Sequence, residues 1–343
     1  MVENTSVVQE KLAFKAIGLH KGYLLLLIQM LLPISAIVAT CDRPIPLKTM
    51  LDSLANQVVQ PRDMVVIDAS DSDRTKEICQ SKIAGLETQI IYHRAIKIGA
   101  AAQRNQGMQH AKEETIWLLD DDIIFEPDCL ERMWQALYSD LHMGGVNAMI
   151  TNQKYLPPGR VSRTLFKFLH GRFESSYAGK CIGPGLNLLP EDREDLPEVV
   201  SVEWLNTTCV LYRRAALPQP LFASFFTGYS LMEDLSLSLT VGKQWQLANA
   251  RKARIFHDSQ PGKHKSDRGV LAEMELVNRH YIMTQILARS TLLDYLKLLI
   301  LQLFGIVASL FQQQGWLDLP QVVVGKLKAI AIIINSDDQT AKL

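Results

Sequence analysis

Short apolar runs alternate with helix-period segments through the first third of the chain. Residues 34–39 (ISAIVA), 64–67 (MVVI), 88–92 and 115–119 are each compact, rich in β-branched or large apolar side chains, and closed by polar residues. Between them, Leu47, Met50, Leu51 and Leu54 recur at helical spacing, and 74–83 and 100–111 read as two more helices, the last entered through Gly99. Strands alternating with helices at this spacing predict a mostly parallel α/β sheet with helices on both faces. Such sheets bind ligands beyond the carboxyl ends of their strands. Thr40, Asp42 and Arg43, then Asp68 and Asp71, then Asp120, Asp121 and Asp122 all fall just after a predicted strand, so they are expected on one edge. Arg104 and Asn105, one turn into the third helix, are expected near that edge.

The pattern loosens after residue 145. A helix is predicted over 163–173, and Pro157-Pro158-Gly159, Gly183-Pro184-Gly185 and the prolines at 190 and 197 punctuate long loops. A strand is predicted at 207–212. Leu231, Leu235 and Leu239 then give 231–241 one apolar helical face, with Glu233 and Asp234 in its first turn. Residues 245–250 and 253–256 read as two short strands, the second running into His257. A basic loop with Lys263, His264, Lys265 and Arg268 leads into helical segments that continue to the end.

Composition narrows the picture. Lys plus Arg and Asp plus Glu number 36 each, so no nucleic-acid partner is expected and any electrostatic site must be local. The five cysteines (Cys41, Cys79, Cys129, Cys181, Cys209) are scattered without a C-x-x-C pair, which fits a reducing compartment and no zinc or dithiol site. No basic stretch leads at once into an apolar signal core, so a cytoplasmic protein is expected. Two apolar stretches allow a peripheral place on the inner face of the membrane. The run 23–32 stops at Pro33, short of a span. The run 292–311 contains Asp294, Lys297 and Gln302, and 319–334 contains Lys326 and Lys328, as interfacial or domain-packed helices would.

The chemistry concentrates at WLLDDDIIFEPD, residues 117–128. Three adjacent carboxylates repel one another and are tolerated mainly with a cation or cationic ligand among them. A polar turn capping a helix at Pro127 and Asp128 would use the same residue types. No G-x-G-x-x-G follows the first strand, which argues against a dinucleotide-dependent oxidoreductase.

Taken in order, these segments resemble the family-two inverting glycosyltransferases of the GT-A fold. The carriers of the resemblance are Thr40 to Pro44, Met64 to Ser70, GAAAQRNQG at 99–107, the aspartates before Pro127-Asp128, and Glu233-Asp234-Leu235. The resemblance implies a sheet domain followed by a helical extension. Residues 1–33 would be a leader, 34–150 the nucleotide-sugar-binding half, 151–265 the acceptor and catalytic-base half, and 266–343 a helical extension suited to a membrane surface. It further implies a metal-assisted hexosyltransferase-like enzyme moving a sugar from a nucleotide-diphosphate sugar to a carbohydrate or lipid-linked acceptor, as in polysaccharide or glycolipid biosynthesis. Asp122 would hold Mg²⁺ or Mn²⁺, with His257 as a second metal contact. Thr40, Asp42, Arg43, Asp68, Arg104, Asp120 and Asp121 would line the nucleotide site. Asp234 would be the general base and Glu233 its neighbour. Cys41, Ala69 and Ser236 depart from the family's usual Tyr and two acids, and the first two leave the donor base open. A nucleotidyltransferase and a non-catalytic, membrane-surface carbohydrate-binding relative are the competing readings.

Overall fold

A computed structural model describes residues 30–259, 267–311 and 315–340. Its strands are β1 (Met30–Thr40), β2 (Val59–Asp68), β3 (Gln89–Arg94), β4 (Thr115–Leu119), β5 (Ile123–Phe125), β6 (Met143–Ile150), β7 (Cys181–Ile182), β8 (Leu186–Asn187), β9 (Val199–Ser201), β10 (Cys209–Arg213) and β11 (Gln246–His257). The helices are α1 (Pro44–Leu54), α2 (Arg74–Gln80), α3 (Ala100–His110), α4 (Cys129–Tyr138), α5 (Arg160–His170), α6 (Glu233–Val241), α7 (Arg268–Tyr281), α8 (Leu292–Ser309) and α9 (Gly315–Thr340). The main sheet runs β3-β2-β1-β4-β10-β6-β11-β5, with β9 added beside β11. Strands β3, β2, β1 and β4 are parallel. Strand β10 runs against both β4 and β6, so β6 and its parallel neighbour β11 point the same way as β4. The mostly parallel sheet read from the sequence is therefore present. Its two halves share it, because β6, β10 and β11 interleave across the 150/151 boundary.

Strand β4 shows why both faces must be covered. All five of its residues are buried; Trp117 and Leu119 enter a core on one face with Leu47, Met50 and Leu130, while Ile116 and Leu118 enter a second core with Tyr212 and Leu237. Side chains alternate across a strand, so a run apolar at every position needs a core on each side. The loop-to-helix steps follow local rules. Pro44 opens α1, and Gly99, at φ 132°, turns the chain into α3. One face of α3 lies so close to β1 that a Cβ on Gly107 would stand 2.4 Å from Ile37 Cγ2. Alanine normally favours a helix over glycine by about 1 kcal/mol, but overpacking of this kind costs about 1–3 kcal/mol. Gly107→Ala is therefore expected to destabilise the protein, and a gain in thermal melting temperature would contradict that packing.

Several sequence expectations need correction. Strand β1 begins at Met30, so the end of the apolar stretch 23–32 lies in the sheet, with a register irregularity between Leu32 and Ser35 around Pro33; the remainder of the expected leader lies outside the described residues. Strand β6 gave no alternating signal because it is buried along its whole length, and Gly145 is packed under the Tyr212 ring. The two strands expected over 245–256 are one strand, interrupted in pairing between Ala250 and Arg254. The helix expected at 163–173 is α5, stopped by Gly171 at φ 84°. Lys263, His264 and Lys265 lie outside the described residues. Arg268 opens α7 and pairs with Asp318 Oδ2 at 3.2 Å, turned to the helical extension. Asp294 caps α8 reciprocally with Thr291, which accounts for an acid in that apolar run.

Candidate active site

The carboxyl ends of β1, β4 and β11 meet at one cleft of about 630 Å³. Strand β4 ends at Leu119 and β5 starts at Ile123, which leaves Asp120, Asp121 and Asp122 in the tight bend between them. Antiparallel pairing of β11 with β5 sets His257 opposite Ile123. That register brings His257 Nε2 to 3.1 Å from Asp122 Oδ1. Arg43, at the mouth of the β1 loop, donates to Asp121 Oδ1 at 2.8 Å and to Asp122 Oδ2 at 2.5 Å, and Thr40 Oγ1 donates to Asp121 Oδ2 at 2.6 Å.

These contacts separate the three aspartates electrostatically. Asp121 is buried, and burial lifts its carboxyl to about 7 against the pull of Arg43 and Thr40, with Asp122 and Asp120 adding repulsion. Burial also pushes Asp122 up, but the hydrogen bond and charge of His257, together with Arg43, hold it down at about 2. Of Asp121 and Asp122, the latter is thus the one held ionised. Asp120, Asp122 and His257 each offer a ligand atom within 4.8 Å of the others. Carboxylate oxygens suit Mg²⁺ and Mn²⁺ alike, and an imidazole is acceptable to Mn²⁺, so this donor set fits the expected divalent cation.

The opposite wall is made by the start of α6. The helix is entered through Ser230 and Met232, at φ 57° and 70°, and Met232 has the left-handed conformation that costs a non-glycine residue about 1–3 kcal/mol. The tight entry aims Glu233 and Asp234 into the cleft. Arg104 joins the two walls: Nη1 donates to Glu233 Oε1 at 2.8 Å and Nη2 to Asp120 Oδ1 at 2.7 Å. It lines the cleft where the sequence reading expects a nucleotide contact. Both terminal nitrogens are engaged by carboxylates, and Arg104 acts as a buried strut between the acid groups. Asp234 accepts from the Leu235 backbone N–H at 2.7 Å and from Trp204 Nε1–H at 3.3 Å. Burial raises Asp234 to about 6, opposed by these two donors and by Arg104. Burial and the charge of Asp234 raise Glu233 as well.

Two expected residues stand back from the cleft. Asp68 is buried and satisfied by the Ser70 backbone and hydroxyl groups, by Tyr92 OH at 2.8 Å and by Arg94 at 3.6 Å. Asp42 is exposed, with φ 54°, and its backbone N–H donates to Ser70 Oγ at 2.7 Å. Both shape the β1 loop next to the cleft without lining it. No sequence pattern pointed to Trp204, whose indole N–H reaches Asp234, or to Glu275 and Arg279, which line the cleft. Trp204 lies in an irregular loop, and Glu275 and Arg279 look like ordinary polar positions of a helix. Only the closing of these elements on α6 reveals them.

A mostly parallel sheet with an acidic bend after its fourth strand and an acid pair facing it is the arrangement of a GT-A domain. Residues 35–189 match the model of glycosyl transferase family 2. The PGL/p-HBAD biosynthesis glycosyltransferases of Mycobacterium tuberculosis and Mycobacterium bovis are 30% identical over 140 residues, covering 39% of this chain and 54% of the relative. The chain thus spans about half the length of these curated relatives. Glycosyltransferase GlyG of Streptococcus pneumoniae is 26% identical over 87 residues, 25% of this chain and 29% of the relative. Among solved structures, the mannosyltransferase PcManGT from Pyrobaculum calidifontis, in complex with GDP-Man and Mn²⁺, superposes with a TM-score of 0.50 at 14% identity, covering 90% of this chain and 80% of that one. That likeness extends the shared fold across most of the chain.

Proposed function

We propose that the protein is a glycosyltransferase that moves a sugar from a nucleotide-diphosphate sugar to an acceptor hydroxyl with inversion, assisted by Mg²⁺ or Mn²⁺. The observation that carries this reading is the two-walled cleft: cation-ready Asp120, Asp122 and His257 on one side and Asp234 on the other, linked by Arg104. Asp120, Asp122 and His257 would hold the cation, which when bound neutralises the departing diphosphate and orients it. Thr40 and Arg43 would contact the nucleotide, with Asp121, which accepts from both, behind them at the ribose end. The acceptor, carbohydrate or lipid-linked, would enter on the Asp234 side. Its oxygen attacks the anomeric carbon, its proton passes to Asp234, and the bond to the diphosphate breaks with the electron pair leaving on the phosphate oxygen. One displacement inverts the centre. Glu233, held by Arg104, takes no part in the proton transfer, and Asp234 is positioned by the Leu235 and Trp204 N–H groups.

A thermal-shift panel of UDP-, GDP-, dTDP- and ADP-sugars with Mg²⁺ or Mn²⁺, followed by product analysis with candidate acceptors, tests the class and the donor base together. Stabilisation by one nucleotide sugar only when the metal is present supports the reading. Absence of any nucleotide response would overturn it.

The base assignment also sets a pH dependence. A general base must be deprotonated, and burial raises Asp234 to about 6. Turnover should therefore fall as the pH drops through about 6, roughly two pH units above the limb of an ordinary aspartate. The Trp204 N–H stabilises the ionised form. Trp204→Phe should move that limb to higher pH, and a limb displaced to lower pH would show that Trp204 does not act on Asp234.

A further inference from the structure

The helical extension leaves apolar surface that the domain does not cover. On α8, Leu292, Leu296, Leu299, Leu303 and Val307 are exposed at positions separated by three or four residues, so they form one stripe, and Leu298 and Leu301 fill the opposite side. Helix α9 repeats the arrangement: Val323, Leu327, Ile330 and Ile334 are exposed in one stripe, while Ala329 is fully buried with Leu298, Leu276 and Met283. Both stripes turn away from that shared core. Contiguous apolar surface on this scale marks an interaction site.

A neighbouring basic surface identifies the partner. Helix α5 is strongly amphipathic, with Arg160, Arg163 and Lys167 along one exposed arc and Val161 and Phe168 exposed beside it. From 153 to 173 the chain carries Lys154, Arg160, Arg163, Lys167 and Arg172 and no acid. Among the described residues, Arg160, Arg163 and Lys167 form no ion pair, whereas Arg172 pairs with Glu174. Helix α8 is fastened against the end of α5: Lys297 Nζ donates to Leu169 O at 3.0 Å and stands 5.8 Å from the Phe168 ring centroid. The basic arc and the α8 stripe thus belong to adjoining helices.

We propose that α5, α8 and α9 form a surface that lies on an anionic lipid bilayer, with the apolar stripes in the acyl boundary and the α5 arginines and lysine against the headgroups. This goes beyond the catalytic reading and does not depend on it. Helix α8 meets the length and composition of a span, yet its 18 residues reach about 27 Å, short of the roughly 30 Å hydrocarbon core. It is also held along its side, by Lys297 on α5 and by Gln302 Nε2 donating to Glu275 Oε1 at 3.3 Å on α7. A helix so attached lies along the interface. A second copy of this chain fits less well, because a two-fold contact pairs the patch with itself and residues 153–173 supply no acid to meet the basic arc.

Flotation of the full chain with vesicles of phosphatidylcholine alone, or with about one-third phosphatidylglycerol, tests the proposal. Binding is expected to the anionic vesicles and to weaken as salt is raised. The triple variant Arg160→Glu, Arg163→Glu, Lys167→Glu should lose about a hundredfold or more in partition, taking about 1 kcal/mol per basic residue at such a surface. Leu299→Glu with Leu303→Glu should also release the protein, and unchanged melting temperatures would exclude misfolding as the cause. Asp234→Asn should bind the vesicles like the parent chain, which separates membrane docking from catalysis. Equal binding of parent and triple variant would overturn the proposal. So would failure to bind with a concentration-dependent dimer in sedimentation, which would assign the apolar face to a second copy.

Discussion

Asp234→Asn should lower turnover by about two to four powers of ten while leaving nucleotide-sugar binding nearly unchanged. The amide has the shape of the carboxyl group, but Leu235 N–H is bound at Oδ1 and Trp204 Nε1–H at Oδ2, so its one acceptor oxygen keeps only one of these bonds, best the 2.7 Å bond from Leu235 that sits at the α6 entry. What it loses is the ability to take a proton from an attacking hydroxyl. The variant should also fold at least as stably as the parent near neutral pH. The sign follows from the raised pKa: a carboxyl lifted to about 6 by burial is held in its charged form at a cost once the pH exceeds that value, and a neutral amide removes that cost. Turnover with donor and acceptor, nucleotide affinity and thermal melting separate the possibilities. Parent-like turnover would remove Asp234 from the role of base. A fall in activity accompanied by lost folding would leave the assignment to the pH limb of the Trp204→Phe comparison.

The second large effect is expected at the cation corner. Asp122→Asn should abolish the metal-dependent part of nucleotide stabilisation. Binding at a hundred times Kd contributes about 2.7 kcal/mol, and 1 kcal/mol moves the melting point of a domain this size by about 2–4 °C. The parent should therefore gain roughly 5–10 °C with nucleotide sugar and Mn²⁺, and the variant little or none. Asn keeps an acceptor oxygen for Arg43, and its amide N–H can donate to a neutral His257 Nε2, so the substitution tests charge and ligation more than packing. The same loss should follow addition of EDTA to the parent. Metal-dependent stabilisation undiminished in Asp122→Asn would exclude Asp122 as the anchor.

Much of the N-terminal half was legible because the relevant information is local. Strand β4 was read at its observed bounds, and the starts of α2 and α3 followed from periodicity and from Gly99. The set Thr40, Arg43, Asp120, Asp121 and Asp122 was readable as sharing one edge because parallel strands bring their carboxyl ends together. Strand β6 was not legible, since full burial erases the polar alternation on which such a reading depends. Arg104 shows the same limit at the site. Its helix and its place near the edge could be inferred, but its two carboxylate partners lie 16 and 129 residues away along the chain.

The sequence by itself determined the alternation of strands and helices, the edge on which the acids gather, and the position of Asp234 in the first turn of its helix. These depend on period, local turns and chain direction. Tertiary structure alone decided that Asp121 and Asp122 differ in proton affinity. The two are chemically identical in the sequence, and they diverge only because folding buries Asp121 beside Thr40 and Arg43 while β11 delivers His257 to Asp122. Burial and the placement of charges from distant segments set a carboxyl's proton affinity, and neither exists before the sheet closes.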